Sequence, residues 1–330
     1  MKPKIAISMG DPAGIGPELI IKLFKRNDIG ADLIVVGDID ILEAANEVLG
    51  SKVTLRSIGS AAEADFGDES AINVLNKGLL TKDKFAIGRA TADCGKGSVE
   101  YLLETARLAR DGFVDAIVSA PLNKEAMKLG GTDFQGQTEL LADFFGVSDY
   151  AMILCFGPIK LFYQTNHVSL KEAIDGVLQE KVLNKIRFID KVLHEMREQN
   201  DSIAVLALNP HAGENGKMGQ EEIEQIIPAI ETAKAEGINV IGPLPADTAF
   251  IKAKDGVYGA VLAMYHDQGN IAAKLLDFGA GVTYIAGLPI IRTSVAHGTA
   301  YDIAGTGIAD ESTLAEAVKM AEKLIGERTV

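Results

Sequence analysis

Tryptophan is absent, and there are only two cysteines, Cys94 and Cys155, and five histidines in 330 residues. Two thiols cannot build a disulfide framework and suit a reducing compartment, so a cytoplasmic location is expected. No apolar run approaches the roughly 18 residues of a membrane span. The opening MKPKIAISMGDPAG meets Asp11 and Pro12 before a signal-peptide core can form. Cations are scarce: 32 Lys and Arg stand against 46 Asp and Glu, a net charge of −14. A phosphate backbone or an anionic lipid surface needs a basic face, so neither nucleic acid nor membrane is expected as a partner. A small anionic substrate is not excluded, because it needs only a few local cations. Neither G-x-G-x-x-G nor G-x-x-x-x-G-K-[ST] occurs, which removes a Rossmann fingerprint and a P-loop. Repeats, low-complexity tracts and obvious linkers are lacking too.

What remains is an alternation of short apolar runs with longer amphipathic ones. Lys4–Ser8, Leu33–Val36, Ala116–Ser119, Met152–Cys155, Ile203–Leu208, Gly259–Met264 and Val282–Ile285 read as buried strands. Ser169-Leu170-Lys171-Glu172 is a capping box that predicts one long helix ending near Gln199. A stripe of Ile223, Ile226, Ile227 and Ile230 predicts another, kinked at Pro228. Thr313-Leu314-Ala315-Glu316 caps a last helix that should stop at Gly326. The pattern predicts an α/β fold with a mostly parallel sheet.

In such sheets, ligands bind beyond the carboxyl ends of the strands. The unusual residues gather there: Gly10–Glu18, Ala120–Lys124, Asn209–Gly216 and Tyr265–Gly269 each follow a predicted strand. Ordinary turn chemistry uses the same Gly, Pro, Asn and Asp, so each stretch alone is a weak signal. His211 and His266 also follow strands, and His167 precedes the Ser169 capping box. Three neutral imidazoles could hold one divalent metal with an open position. No short H-x-x-x-H spacing marks such a site, and hydrogen-bonding histidine is the competing reading. His194 falls among Lys, Glu and Arg of an amphipathic helix and reads as a solvated surface residue. Gly136-Gln137-Thr138-Glu139 opens a helix whose free N–H groups suit a phosphate, or Thr138 is simply its cap.

Six blocks, in order, carry a resemblance: GDPAGIGPE (Gly10–Glu18), NPHAGENG (Asn209–Gly216), GPLPADT (Gly242–Thr248), AMYHDQG (Ala263–Gly269), GLPIIRTS (Gly287–Ser294) and HGTAYDIAG (His297–Gly305). Together they span nearly the whole chain. The sequence resembles the 4-hydroxythreonine-4-phosphate dehydrogenase family. The resemblance implies a two-domain fold like that of isocitrate and isopropylmalate dehydrogenases. Residues 1–125 with 300–330 would form the first α/β domain, and 126–299 a second that carries the metal ligands and the dimer interface. It implies a homodimer whose active site lies between domains and at that interface. One divalent ion (Zn, Co, Mn or Mg) would be held by His167, His211 and His266, the last reaching in from the partner subunit. Substrate contacts would come from Gln137, Thr138, Lys274, Thr283 and Arg292.

The loop of His297, Gly298, Thr299 and Asp302 looks like the adenosine-binding loop of decarboxylating hydroxyacid dehydrogenases. A carboxylate at Asp302 accepts a bond from a ribose 2′-OH and repels a 2′-phosphate, so NAD is the expected cofactor. The implied reaction oxidises a C3 hydroxyl and decarboxylates the product. Asp247, Asp267 and Lys124 are the candidate acid/base residues, and the sequence does not choose among them. Two positions depart from the vitamin-pathway enzymes, which carry His-Thr at Gln137-Thr138 and Asn at Thr283. Other blocks, Pro121–Ala126 and Asp149–Met152, are more similar to a branch that acts on 4-phospho-D-threonate and 4-phospho-D-erythronate. That branch is the favoured reading, with 4-phosphohydroxy-L-threonine dehydrogenase of pyridoxal phosphate biosynthesis as the alternative. The rivals from other classes are a phosphate acyltransferase and a catalytically silent binding protein.

Overall fold

The computed structural model describes residues 2–68, 70–81, 85–276 and 281–329. The chain forms two compact units, residues 1–152 with 282–330, and residues 153–281.

The first unit begins with β1 (Lys4–Ser8), α1 (Gly16–Leu23), β2 (Asp32–Gly37), α2 (Ile39–Val48), β3 (Thr54–Ile58) and β4 (Ala71–Asn76). It continues through α3 (Ala92–Arg110), β5 (Ala116–Ser119), α4 (Lys124–Leu129) and α5 (Gln137–Phe145). The second unit holds β6 (Ala151–Phe156), β7 (Ile159–Tyr163), α6 (Leu170–Asp175), α7 (Gln179–Glu195), β8 (Ile203–Leu206), α8 (Ile227–Ala235), β9 (Val240–Leu244), α9 (Ala246–Lys254), β10 (Ala260–Ala263) and α10 (His266–Leu276). The chain then returns to the first unit with β11 (Val282–Ala286), β12 (Ile291–Val295) and α11 (Ser312–Thr329).

Strand order in the first unit is β3-β4-β2-β1-β5-β12-β11. Every pair is parallel except β11 with β12. β1 is central, and Ile5, Ala6 and Ile7 are fully buried, as a strand covered on both faces requires. In the second unit the order is β6-β7-β10-β8-β9, antiparallel only between β6 and β7. The fold is thus α/β with mostly parallel pairing, as the alternating pattern predicts.

Boundaries fall later and earlier than the sequence suggests. Residues 126–152 and 282–299 belong to the first unit rather than the second, because β12 pairs with β5 in register Arg292↔Ile117 and Ser294↔Ser119. The Ser169 capping box forms, its hydroxyl accepting from Glu172 N–H while Glu172 accepts from Ser169 N–H. The helix it starts is short, however, since α6 ends at Gly176, and α7 begins afresh at Gln179. α7 buries Val182, Leu183, Ile186, Ile189, Val192 and Leu193, a stripe at helical spacing. Pro228 does not kink a helix; a π-helical turn over Glu222–Ile226 runs into α8, where Pro228 sits in the first turn. α11 passes through Gly326. A single glycine in a helix costs only about 1 kcal/mol, too little to stop it. Among the described residues, no helix is long and apolar enough to cross a membrane.

α3 and α4 meet at Gly95, where a methyl group would lie 1.8 Å from the carbonyl oxygen of Ala126. Gly95→Ala must push two backbones apart and is expected to cost about 3 kcal/mol. The check is urea unfolding, with a lowered midpoint at unchanged m; an unshifted midpoint would disprove the contact.

Candidate active site

In the second unit, β7, β10 and β8 are adjacent and parallel. Their carboxyl ends therefore open at the same edge, and each runs on to a histidine: β7 to His167, β10 to His266, β8 to His211. The His167 and His266 rings lie 5.6 Å apart, centroid to centroid, and the Tyr163 ring stacks on His266 at 6.0 Å. Nδ1 of His266 is 2.7 Å from Oδ1 of Asp267. A carboxylate there holds the proton on Nδ1 and turns the Nε2 lone pair outward. That bond gives Asp267 an orienting contact with His266. Asp247 is exposed in the first turn of α9, and Lys274 is exposed on α10 two turns beyond His266. Among the described residues, no three His, Cys, Asp or Glu side chains of one chain converge as a metal-ligand set.

The edge is stitched by a residue the sequence reading passed over. Gln268 accepts from Met264 N–H at 2.7 Å and donates to the Ala207 carbonyl at 2.7 Å, joining the ends of β10 and β8. Gly269 is required beside it, because a methyl group would meet the Tyr163 ring at 2.9 Å. Three buried oxygens at this edge, Tyr163 OH, Gln164 Oε1 and Asn166 Oδ1, have no hydrogen-bond partner. Unsatisfied buried oxygens are uncommon and mark a place where a polar partner belongs.

After β8, the backbone does something unusual. His211, Ala212, Gly213, Glu214, Asn215 and Gly216 have φ of 53°, 53°, 75°, 42°, 57° and 86°, six left-handed residues in succession. For residues with a Cβ this conformation costs about 1–2 kcal/mol each in a helical run. Only Gly213 and Gly216 escape it fully, and Asn215 does so in part.

In the first unit, the central feature is Arg292 on β12, only 2% exposed. Its Nε lies 3.3 Å from Ser119 Oγ at the end of β5, Nη1 3.5 Å from Thr283 Oγ1 on β11, and Nη2 2.5 Å from Gln137 Oε1 at the start of α5. All three partners are neutral. Burial pushes the guanidinium down to about 9, so it remains a cation at neutral pH. Among the described residues its partners are all neutral oxygens, a costly arrangement for a buried cation that an anion relieves. Gln137 uses both ends of its amide, since Nε2 donates to the Ala120 carbonyl at 3.1 Å. It therefore orients Arg292, and Thr283 does the same. Thr138 lies in the first turn of α5, whose cap is Gly136 rather than a threonine hydroxyl. Lys124 opens α4 behind the Asn123 cap, which accepts from Ala126 N–H.

The loop His297–Gly305 is braced by GDPAGIGPE. Asp11, fully buried, accepts from Tyr301 OH at 2.6 Å and from Ala13 N–H at 2.9 Å. Burial raises its pKa, and these two bonds oppose the rise. Ile15 N–H donates to the Thr299 carbonyl at 3.1 Å, and Gly14 packs so closely on Thr299 that a methyl group would sit 2.9 Å away. Glu18 accepts from Gly305 N–H at 2.5 Å and Gly307 N–H at 2.8 Å. His297, Gly298 and Asp302 are left exposed on the loop, while Thr299 is buried. The role of Asp11 and Glu18 was hidden in a block that the sequence reading matched without assigning it work. His194 is exposed, its Nδ1 2.8 Å from the Asp190 carbonyl of its own helix.

With this geometry in hand, the comparisons with known proteins are direct. The family model described as pyridoxal phosphate biosynthetic protein PdxA matches residues 30–321. The chain belongs to the PdxA family. The D-threonate 4-phosphate dehydrogenase of Cupriavidus necator is 42% identical over 329 residues, covering 99% of this chain and 98% of that protein. That of Salmonella typhimurium is 42% identical over 322 residues, with 97% and 98% covered. The crystal structure of 4-hydroxythreonine-4-phosphate dehydrogenase from Klebsiella pneumoniae matches with a TM-score of 0.86 at 41% identity, covering 98% of both chains. Like these PdxA relatives, the chain is a dehydrogenase. A branched-chain phosphotransacylase from Enterococcus faecalis, at 12% identity and a TM-score of 0.53, shares the fold alone.

The uncompensated charge of Arg292 has a measurable consequence. Arg292→Met removes a buried cation without orphaning a carboxylate, so the ligand-free protein should be as stable as the parent or up to about 4 kcal/mol more stable. Thermal unfolding without ligand checks this; a midpoint lower by about 5 °C or more would show that the three neutral hydrogen bonds outweigh the desolvation cost.

Proposed function

We propose that the chain oxidises the C3 hydroxyl of a 4-phosphorylated four-carbon hydroxy acid, 4-phospho-D-threonate or 4-phospho-D-erythronate, with NAD as hydride acceptor, and that the resulting β-keto acid loses CO₂. The observation that carries this reading is Arg292, a buried guanidinium whose partners among the described residues are all neutral. It takes one anionic group of the substrate in charge-assisted hydrogen bonds, and Lys274 takes the other. The names of the relatives from Cupriavidus necator and Salmonella typhimurium support the sugar-acid substrate. The description of the family model supports the second reading, 4-phosphohydroxy-L-threonine.

The residues at the second unit's strand ends fit a divalent metal. Imidazole donors suit Zn, Co or Mn, the Nε2 of His266 is freed by Asp267, and the unsatisfied oxygens of Tyr163, Gln164 and Asn166 lead up to His167. His167 and His211 would hold the ion together with the partner subunit's His266. When bound, such an ion acts as a Lewis acid toward the C3 oxygen and the developing enolate. The chain's own residues do the rest. Asp267 keeps His266 in its donor tautomer, Gln137 and Thr283 hold Arg292 in position, and Asp247 or Lys124 accepts the alcohol proton. Asp302, exposed on the braced loop, receives the ribose 2′-OH of NAD. A homodimer is supported by apolar side chains left in solvent on the helix that starts at His266: Ile271 is 59% and Leu275 79% exposed, with Ile251 of α9 at 66%.

The test is a substrate panel read as initial NADH formation, with and without a chelator. 4-Phospho-D-threonate or 4-phospho-D-erythronate should be turned over, the chelator should abolish the rate, and NAD should be preferred to NADP. Turnover of 4-phosphohydroxy-L-threonine alone would move the assignment to the vitamin branch. Full activity after exhaustive chelation would sink the metal assignment, and a preference for NADP by about tenfold would overturn the role given to Asp302.

A further inference from the structure

The left-handed turn His211–Gly216 is strained, because four of its six residues carry a Cβ in a conformation that disfavours it. Two side chains brace it: Gln220 Nε2 donates to the Gly216 carbonyl at 3.0 Å, and Glu222 of the π-helical turn packs against Gly213 and holds the residues that lead into the turn. Glu222 is 1% exposed. Its Oε1 accepts from Leu208 N–H at 2.9 Å and Asn209 N–H at 2.8 Å, and its Oε2 accepts from Asn209 Nδ2 at 2.9 Å. Gly213 lies directly against the same carboxylate, where a methyl group would be 2.7 Å from Oε2. The turn closes on itself through the Gly213 carbonyl, which receives Gly216 N–H at 2.9 Å and Met218 N–H at 3.2 Å.

We infer that Glu222 is the positioning residue for His211: its carboxylate fixes the end of β8 and the left-handed turn so that the imidazole is presented as a metal ligand. The inference rests on the metal reading above. Its chemistry explains the residue type. Every group that faces Glu222 is a donor, two backbone N–H groups on one oxygen and an amide nitrogen on the other. An ionised carboxylate accepts from all three, whereas an amide would set its own NH₂ against Asn209 Nδ2. The π-helical geometry is consistent with such a job, since π-turns concentrate at functional sites. Side chains that orient a metal ligand without touching the ion typically govern affinity by one to two orders of magnitude.

The experiment uses the full-length metal-free protein, as parent, Glu222→Gln and Glu222→Ala. Hydrogen exchange of residues 207–216 reads the turn, and calorimetric titration with Co²⁺ reads the site. Glu222→Ala should speed exchange in that segment at least about tenfold while leaving β1 protected, and weaken Co²⁺ binding about 10–100-fold. Glu222→Gln, which keeps two of the three bonds, should fall between, and it decides the matter if the alanine variant does not fold. Exchange and Co²⁺ affinity both at parental values in a folded variant would overturn the inference. If the parent itself binds no Co²⁺, the metal reading fails, and Glu222 loses its link to a ligand while exchange still tells whether it holds the turn.

Discussion

A parallel strand ends with its last backbone groups unpaired, and the loop that follows must find partners for them elsewhere. In this protein, the loops that carry the chemistry find them in buried carboxylates. Glu18 receives two amides of the segment after HGTAYD, Asp11 receives Tyr301 from the same loop, and Glu222 receives two amides before His211. Each carboxylate is an acceptor-only group with both oxygens engaged: Glu18 and Glu222 each hold a loop at two backbone amides, and Asp11 ties Tyr301 to its own turn at Ala13. The exposed side chains of Asp302, His297 and His211, candidates for the site, thereby stand on braced backbone. Rigid support under exposed chemistry is what precise binding requires.

The opposite arrangement governs Arg292. There, among the described residues, the buried charge meets Ser119, Thr283 and Gln137, neutral groups that orient it without cancelling it. The carboxylates of the braces are saturated with donors, while the guanidinium keeps its charge for an anion. Structural charge and functional charge are told apart by whether the partners complete the compensation. Gln137 fits this division, because an amide holds the guanidinium with one end and the Ala120 carbonyl with the other and does so at any pH.

Much of the architecture is readable from residues alone. β1, β2, β5, β8, β10 and β11 announce themselves as apolar β-branched runs, since strands covered on both faces need no alternation. β3, Thr54–Ile58, is half exposed with an arginine in its middle, and β12 buries Arg292, so neither looks apolar. β7 hides Lys160, whose ammonium pairs with Glu198 at 2.9 Å. β9 contains Pro243 and lies at the edge of its unit, where a missing N–H is tolerated. The helix expected to run unbroken from Ser169 stops at Gly176, which packs so closely on Thr165 that a methyl group would lie 2.6 Å away. That contact joins segments far apart in helical register and leaves no trace in a local pattern.

Residue identity by itself determined the strand ends at which Gly, Asn, Asp and His gather, the candidate imidazoles and cations, and the blocks that mark the family. These follow from short-range constraints, since a strand, a cap or a motif is written in neighbouring residues. Tertiary structure alone decided what each polar group does. Gln137 and Arg292 are 155 positions apart, Asp11 and Tyr301 are 290 apart, and they meet only because strand order sets β12 beside β5 and the HGTAYD loop against the first turn of the chain. The left-handed run from His211 to Gly216 is likewise invisible in a sequence with two glycines in six residues, because the side chains packed against it, Gln220 and Glu222, lie on the following turn of chain and act through space.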